Sequence, residues 1–335
     1  MSTREIFFNL LRHGQKYLVY PSAFEKRPRE VSCPSELGLE YSDLQLTTSD
    51  LAVLHCSLLY HTRQSSSRIK QMARNDFPNI DVSFVPPADY NASAIATVIM
   101  FHGNGMNYGD SIYAAKRFVM RRCNVLMLSY RGYGNSEGIP SEKGLRLDAQ
   151  AALDHIKADS ELSSIPTILY GTSLGGAVAI DLASRNPSAI GALIVENTFE
   201  SLPRVVRDWP LIGAFSFLCF QRWNSAAKLP RIPPTTPILM LSGAQDEIVP
   251  KKHMEALWQI ARKRDGAEQD QFESFANGFH ADTFTCPGYW TKVGEFLDSV
   301  TQTSPLLRVR TGNPLGDWAS LHFRCGRHMY LPDDG

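Results

Sequence analysis

Between residues 96 and 299, short unbroken apolar runs alternate with stretches of helical spacing. The runs are Thr97-Val98-Ile99-Met100-Phe101, Val125-Leu126-Met127-Leu128, Thr167-Ile168-Leu169-Tyr170, Ala192-Leu193-Ile194-Val195 and Ile238-Leu239-Met240-Leu241. Each is too short for a helix and apolar at every other position and its neighbour, as a strand buried on both faces requires. Helical spacing fills 110–122, 145–156, 174–185, 251–263 and 288–299, and a further short strand is expected at 272–275. Strands that alternate with helices predict an α/β fold with a mostly parallel sheet covered on both faces. Residues 41–60 add a strand pair, with Leu44, Leu46, Leu51, Val53, Leu54 and Leu58 in the strands and a turn near Thr48-Ser49-Asp50.

Outside this rhythm the chain divides simply. Residues 1–37 are irregular, broken by Pro21, Pro28 and Pro34. The domain runs over 38–300 and carries two interruptions. One is a polar surface insertion at 62–93, with Ser65-Ser66-Ser67, Pro86-Pro87 and the sequon Asn91-Ala92-Ser93; the other is a small cap at 200–232. Residues 301–335 show no periodicity and form a loosely structured tail. Lys+Arg and Asp+Glu both number 34, so there is no basic excess for nucleic acid. Six scattered cysteines without a CxxC pair suggest buried small hydrophobes, neither a disulfide scaffold nor a metal site. No apolar window of about 18 residues is present to span a bilayer. Residues 1–20, interrupted by Arg12, His13 and Lys16, make a poor secretory signal. The expected location is intracellular, in the cytoplasm or peripheral on an internal membrane.

Two stretches fit G-x-S-x-G: Gly134-Asn135-Ser136-Glu137-Gly138 and Gly171-Thr172-Ser173-Leu174-Gly175. A serine nucleophile on a sharp turn needs a strand directly before it and a helix directly after. Ser173 has both, from 167–170 and 174–185, whereas Ile139-Pro140 after Ser136 prevents an immediate helix. Ser173 is therefore the candidate nucleophile. A serine needs a base, and the base needs an orienting carboxylate. His280, in Asn277-Gly278-Phe279-His280 after a strand, is the candidate base; His253 is expected at the surface, and His322 and His328 lie in the tail. Asp246 follows the strand 238–241 and is the candidate acid, with Glu196 at the preceding strand end and Glu247 as competitors. Asp282 is too near His280 along the chain to orient it and is expected to cap a helix.

His102-Gly103-Asn104-Gly105 follows the first parallel strand. A main-chain N–H at this turn and the one after the nucleophile would face a developing oxyanion, which nominates Asn104 and Leu174. His102 is expected to brace the turn. The same loop supports a rival reading: Gly103, Gly105 and Gly109 after a strand are similar to a dinucleotide fingerprint with one extra residue, with Arg131 placed to accept a 2′-phosphate. That reading leaves Ser173, Asp246 and His280 unexplained.

His102-Gly103-Asn104-Gly105, Tyr130-Arg131-Gly132-Tyr133-Gly134-x-Ser136, Gly171-x-Ser173-Leu174-Gly175-Gly176, Asp246-Glu247-x-Val249-Pro250 and Gly278-x-His280 resemble the α/β-hydrolase superfamily. Pro140-Ser141-Glu142 and Glu196-Asn197-Thr198-Phe199 resemble more narrowly the eukaryotic bud-emergence-type serine hydrolases, akin to α/β-hydrolase domain-containing protein 13. The resemblance implies an α/β-hydrolase fold, with Ser173, Asp246 and His280 as catalytic triad. The expected activity is hydrolysis of esters or thioesters, on a small-molecule or lipid-like substrate or an acylated protein, with no cofactor and no metal. A hydrolase-fold scaffold that binds lipids or partners without turnover is the alternative. The most hydrophobic stretch, 209–220, is expected to wall an acyl pocket through Trp209, Phe215 and Phe217, or to touch a membrane surface.

Overall fold

The expected apolar runs all become strands of one sheet. The computed structural model describes residues 19–20, 30–61, 93–209 and 213–302. The surface insertion apart from Ser93, the tail from 303, His322, His328 and most of residues 1–29 lie outside the described residues. The strands are β1 (Ser42–Thr47), β2 (Val53–Leu59), β3 (Ala96–Phe101), β4 (Cys123–Leu128), β5 (Thr167–Thr172), β6 (Ala192–Glu196), β7 (Ile238–Gly243) and β8 (Gln271–Phe275). Their order in the sheet is β1-β2-β4-β3-β5-β6-β7-β8. β1 and β2 pair antiparallel, as do β2 and β4, and every pairing from β4 to β8 is parallel. One detail of the strand pair differs from expectation. Leu51 sits in the turn with φ 70° and is 79% exposed, so it belongs to neither strand.

β3, β4 and β7 are buried at every position, and their side chains sort strictly by parity. Ile99, Phe101, Leu126, Leu128 and Met240 face one layer; Val98, Met100, Val125, Met127 and Leu241 face the other. The first layer is closed by α2 (Glu142–Ala158), α3 (Leu174–Arg185) and α6 (Lys252–Ala261). The second is closed by α1 (Ile112–Met120) and α7 (Tyr289–Gln302). Between β6 and β7 lie the short α4 (Leu202–Asp208), a 3₁₀ segment (Gly213–Leu218) and the single turn α5 (Ser225–Lys228). α2 starts three residues before the apolar spacing does. Its polar first turn carries no hydrophobic signal, and the start is set by Ser141, whose Oγ accepts the Gly144 N–H at 3.0 Å.

The chain leaves β3 through α1 to β4 on one side, then returns through α2 to β5 on the other. The connections thus diverge at the β3–β5 pair, and the crevice beyond the carboxyl ends of those strands is the ligand position of an open parallel sheet. Register aligns these ends: Phe101 opposes Gly171, Thr172 opposes Glu196, and Gly243 opposes Phe275.

Beside this crevice the loop after β4 is fixed by a buried ion pair. Asp148 of α2, fully buried, accepts the Arg131 Nε–H at 2.8 Å and its main-chain N–H at 2.9 Å. The rest of the guanidinium is held by Asp50, whose side chain is 46% exposed, and by Thr48. Removing one member of a buried pair strands the other charge. Asp148→Ala should therefore lower the unfolding free energy by about 3 kcal/mol, read by urea denaturation. Asp50→Ala should change it by less than about 1 kcal/mol, because water replaces an exposed carboxylate.

Candidate active site

Ser173 joins β5 to α3 with φ 55° and ψ −117°, a left-handed conformation that L-residues adopt only under constraint. The constraint is local. A Cβ at residue 171 would lie 2.2 Å from the Gly175 carbonyl oxygen, and one at residue 175 would lie 1.9 Å from that of Phe101, so both places require glycine. The Ser173 N–H donates to the Glu196 carbonyl at 2.8 Å, and the Thr198 hydroxyl donates to the Ser173 carbonyl at 2.8 Å. These bonds lock the turn onto the end of β6.

The structure brings the three sequence-predicted side chains into one row. Asp246 follows β7, and its nearly inaccessible carboxylate accepts the Ile248 and Val249 N–H groups on Oδ1 at 2.9 and 2.7 Å. Its Oδ2 lies 2.7 Å from His280 Nδ1. His280 Nε2 lies 3.0 Å from Ser173 Oγ. A carboxylate only accepts, so the hydrogen belongs on Nδ1 and leaves Nε2 free to take the serine proton.

The competitors are engaged elsewhere. Glu196 is buried in the second layer, where the Tyr170 and Tyr289 hydroxyls both donate to Oε2 at 2.7 Å, and burial raises its pKa. Glu247 accepts the His280 main-chain N–H at 3.3 Å rather than the ring. Asp282 does not cap a helix with its side chain; it accepts the Phe279 N–H at 2.7 Å and braces the loop before it. His253, expected at the surface, is 1% exposed, with Nε2 2.9 Å from Asp208. Helical spacing could have placed it inward, but its charged neighbours Lys251 and Lys252 masked the signal. The second serine motif is structural: Ser136 donates to the Ser129 carbonyl at 2.7 Å and accepts the His55 N–H at 2.8 Å.

The turn after β3 packs against Ser173, and a Cβ at Gly103 would be 3.7 Å from that of Ser173. His102 is buried and braces the turn. Its Nδ1 donates to the Gly103 carbonyl at 2.8 Å, its Nε2 accepts the Tyr130 N–H at 3.3 Å, and burial pushes its pKa down to about 4. Asn104 is fixed by its side chain, which accepts the Tyr133 hydroxyl at 2.7 Å and donates to the Val19 carbonyl at 2.8 Å. The Leu174 N–H stands in the first turn of α3, where it has no intrahelical acceptor. The dinucleotide reading is overturned here. The guanidinium of Arg131 is held by Asp148 and Asp50, and a Cβ at Gly109 would meet the Ser32 N at 2.6 Å, so no open glycine cradle faces a pyrophosphate. Among the described residues no His, Cys, Asp and Glu side chains group as metal ligands.

The cap expectations fare unevenly. Trp209 reaches the acid loop, its Nε1 donating to the Ile248 carbonyl at 3.3 Å. Phe215 and Phe217 are 60% and 70% exposed, so they do not wall a closed pocket. They lie on a 3₁₀ segment without buried residues. Sequence reasoning missed Tyr20, fully buried, whose hydroxyl accepts the Trp223 Nε1–H at 2.9 Å beneath the cap. It also missed Asn197, which appeared only within a family motif.

Residues 92–223 match the family described as "Serine aminopeptidase, S33". Protein bem46 of Schizosaccharomyces pombe is 35% identical over 296 residues, covering 87% of this chain and 88% of that protein. An uncharacterized membrane protein of Saccharomyces cerevisiae is 36% identical over 289 residues, covering 86% of this chain and 90% of its own. Among solved structures, an esterase of Pyrococcus furiosus superposes with a TM-score of 0.63 at 18% identity, covering 82% of this chain and 97% of the esterase, a likeness of fold. No helix among the described residues is long and apolar enough to cross a membrane. With this fold and the extended likeness to bem46, the chain belongs to the α/β-hydrolase family that includes that protein.

Proposed function

We propose that the protein is a serine hydrolase of carboxylic esters or thioesters, acting through an acyl-enzyme on a lipid-like or acylated substrate. The observation that carries the reading is the unbroken row Ser173 Oγ, His280 Nε2, His280 Nδ1, Asp246 Oδ2, with contacts of 3.0 and 2.7 Å. Ser173 Oγ attacks the acyl carbon while its proton passes to His280 Nε2. The carbonyl oxygen becomes an oxyanion facing the main-chain N–H groups of Asn104 and Leu174. The tetrahedral species collapses, and the leaving alkoxide or thiolate takes the proton from Nε2. Water then attacks the acyl-serine with His280 again as base, releasing a carboxylic acid and restoring Ser173. Asp246 stays ionised throughout, holds the tautomer and stabilises the imidazolium.

The side chains around Asp246 and His280 favour a lipid-like substrate. Ile248 and Phe279, beside Asp246 and His280 in sequence, are 44% and 48% exposed, and Trp209 borders Ile248. The 3₁₀ segment of the cap adds the exposed Phe215 and Phe217. An exposed aromatic group of this kind favours an apolar acyl chain or the surface of a membrane that holds one.

A fluorophosphonate should label the protein at Ser173, and Ser173→Ala should abolish labelling and cut kcat by about 10⁶. Labelling that persists in Ser173→Ala and disappears in Ser136→Ala would transfer the role to the second motif. Asp246→Asn should leave the circular dichroism spectrum intact and reduce kcat by about 10⁴, as the imidazole loses its orienting acceptor. Replacing Phe215 and Phe217 together with Ser should lower hydrolysis of long-chain p-nitrophenyl esters more than of the acetate and weaken vesicle flotation. Proportional losses on every chain length, with flotation unchanged, would reduce these side chains to bystanders. The same ester series run beside matched thioesters assigns the leaving group.

A further inference from the structure

Asn197 is the first residue after β6, directly between the buried Glu196 and the Thr198 that holds the nucleophile turn. It is 1% exposed and has φ 45°. Its main-chain N–H extends the ladder to the Leu241 carbonyl at 3.1 Å. The side-chain amide faces the other way and joins two loops. Oδ1 accepts the Gly243 N–H at 2.8 Å, at the end of the strand that delivers Asp246. Nδ2 lies 3.2 Å from the Phe279 carbonyl, 3.1 Å from the His280 carbonyl and 2.9 Å from Thr283 Oγ1. The amide cannot be turned over. Its oxygen faces a donor, and its nitrogen faces two carbonyls and a hydroxyl that itself donates to Phe279 at 2.6 Å.

We infer that Asn197 is the positioning residue that sets the His280 loop against the Asp246 loop, an inference that rests on the hydrolase reading above. The two loops touch through their backbones as well. The Gln245 N–H donates to the Gly278 carbonyl at 2.9 Å, and the Ala244 N–H to that of Phe275 at 2.9 Å. Those bonds end before His280. Beyond them, the main-chain carbonyl of His280 itself is held by the Asn197 amide. The ring must meet Asp246 on one nitrogen and Ser173 on the other, so a rotation of this backbone breaks one contact as it improves the other. Asn is suited to the place for two reasons: it tolerates the left-handed backbone, and it alone presents one acceptor and two donors at this length.

Two substitutions keep the backbone and change the amide. Asn197→Gly accepts φ 45° without strain and removes every side-chain bond. Asn197→Asp keeps the shape and turns an oxygen toward the carbonyls of Phe279 and His280. In p-nitrophenyl butyrate hydrolysis, with sites counted by fluorophosphonate titration, both should reduce kcat per titrated site by about 10–100-fold, with KM within twofold. Hydrogen exchange should rise about tenfold at amides 278–283 and stay unchanged in α3, by the loss of local anchoring. Wild-type kcat per titrated site in both variants, or unchanged exchange at 278–283, overturns the inference. Should both variants fail to fold, Thr283→Val removes one partner of the amide, and unchanged exchange and kcat there overturn it equally. Failure of the hydrolase reading is seen separately, as a wild-type protein that neither titrates nor turns over while the exchange comparison still decides the role of Asn197.

Discussion

α3 comes so near the end of β3 that the Phe101 carbonyl leaves no room for any side chain at residue 175. The rest of the site depends on it. With the helix this near the strand, the turn before it must be sharp, and Ser173 is forced into left-handed backbone. Such a residue costs on the order of 1–3 kcal/mol and persists only where its surroundings over-determine it. Here the surroundings are the Glu196 carbonyl, the Thr198 hydroxyl and the β3 turn beside Ser173 Cβ. The same closeness puts the orphan N–H of the first helical turn opposite the loop that carries Asn104. Strand-end geometry, rather than any unusual residue, thus sets the place of Ser173 and of the first turn of α3.

Two carboxylates stand at adjacent strand ends, and their surroundings separate them. Asp246 has main-chain donors on one oxygen and an imidazole on the other, so both of its oxygens are engaged toward the crevice side. Glu196 is turned to the opposite face of the sheet, among Tyr170 and Tyr289, with burial opposing its charge. Both follow apolar runs in the sequence, and nothing in the residue types distinguishes an acid aimed at the crevice from one aimed into the core. The difference is one of parity along the strand. Glu196 is the last residue of β6, whereas Asp246 lies three residues beyond β7, in a loop free of the pleat.

That contrast explains what could be read from the chain before its structure. Burial on both faces writes itself into sequence as continuous apolar runs, so the five central strands and the helices between them were legible. Ser173 and Asp246 were legible because each follows such a run, and His280 because it follows the short strand expected at 272–275; strand ends in a parallel sheet converge. What stayed hidden depends on contacts distant in sequence. His253 is buried because Asp208 from the cap reaches it, and Tyr20 because Trp223 covers it, some two hundred residues away. Asn197 reads as a polar loop residue, and its importance lies in partners at 243 and 279–283. Phe215 and Phe217 were legible as apolar, but hydrophobicity alone does not tell how far a side chain stands out into solvent.

The cap is pinned at its ends and open between them. At its start, Asp208 binds Lys252 and His253 of α6. At its far end, Glu142 accepts the Arg222 and Trp223 N–H groups, while the Gln221 side chain accepts the Glu142 N–H and the Tyr20 hydroxyl. The described residues between these anchors bury little and present aromatic side chains outward. These anchors lie on α2 and α6. Trp209 links the cap to the Asp246 loop, its Nε1 donating to the Ile248 carbonyl of the very peptide whose N–H, that of Val249, donates to Asp246. The hydrogen-bonded row of Ser173, His280 and Asp246 stands beyond the strand ends of the sheet, and the insertion between β6 and β7 turns Phe215 and Phe217 outward.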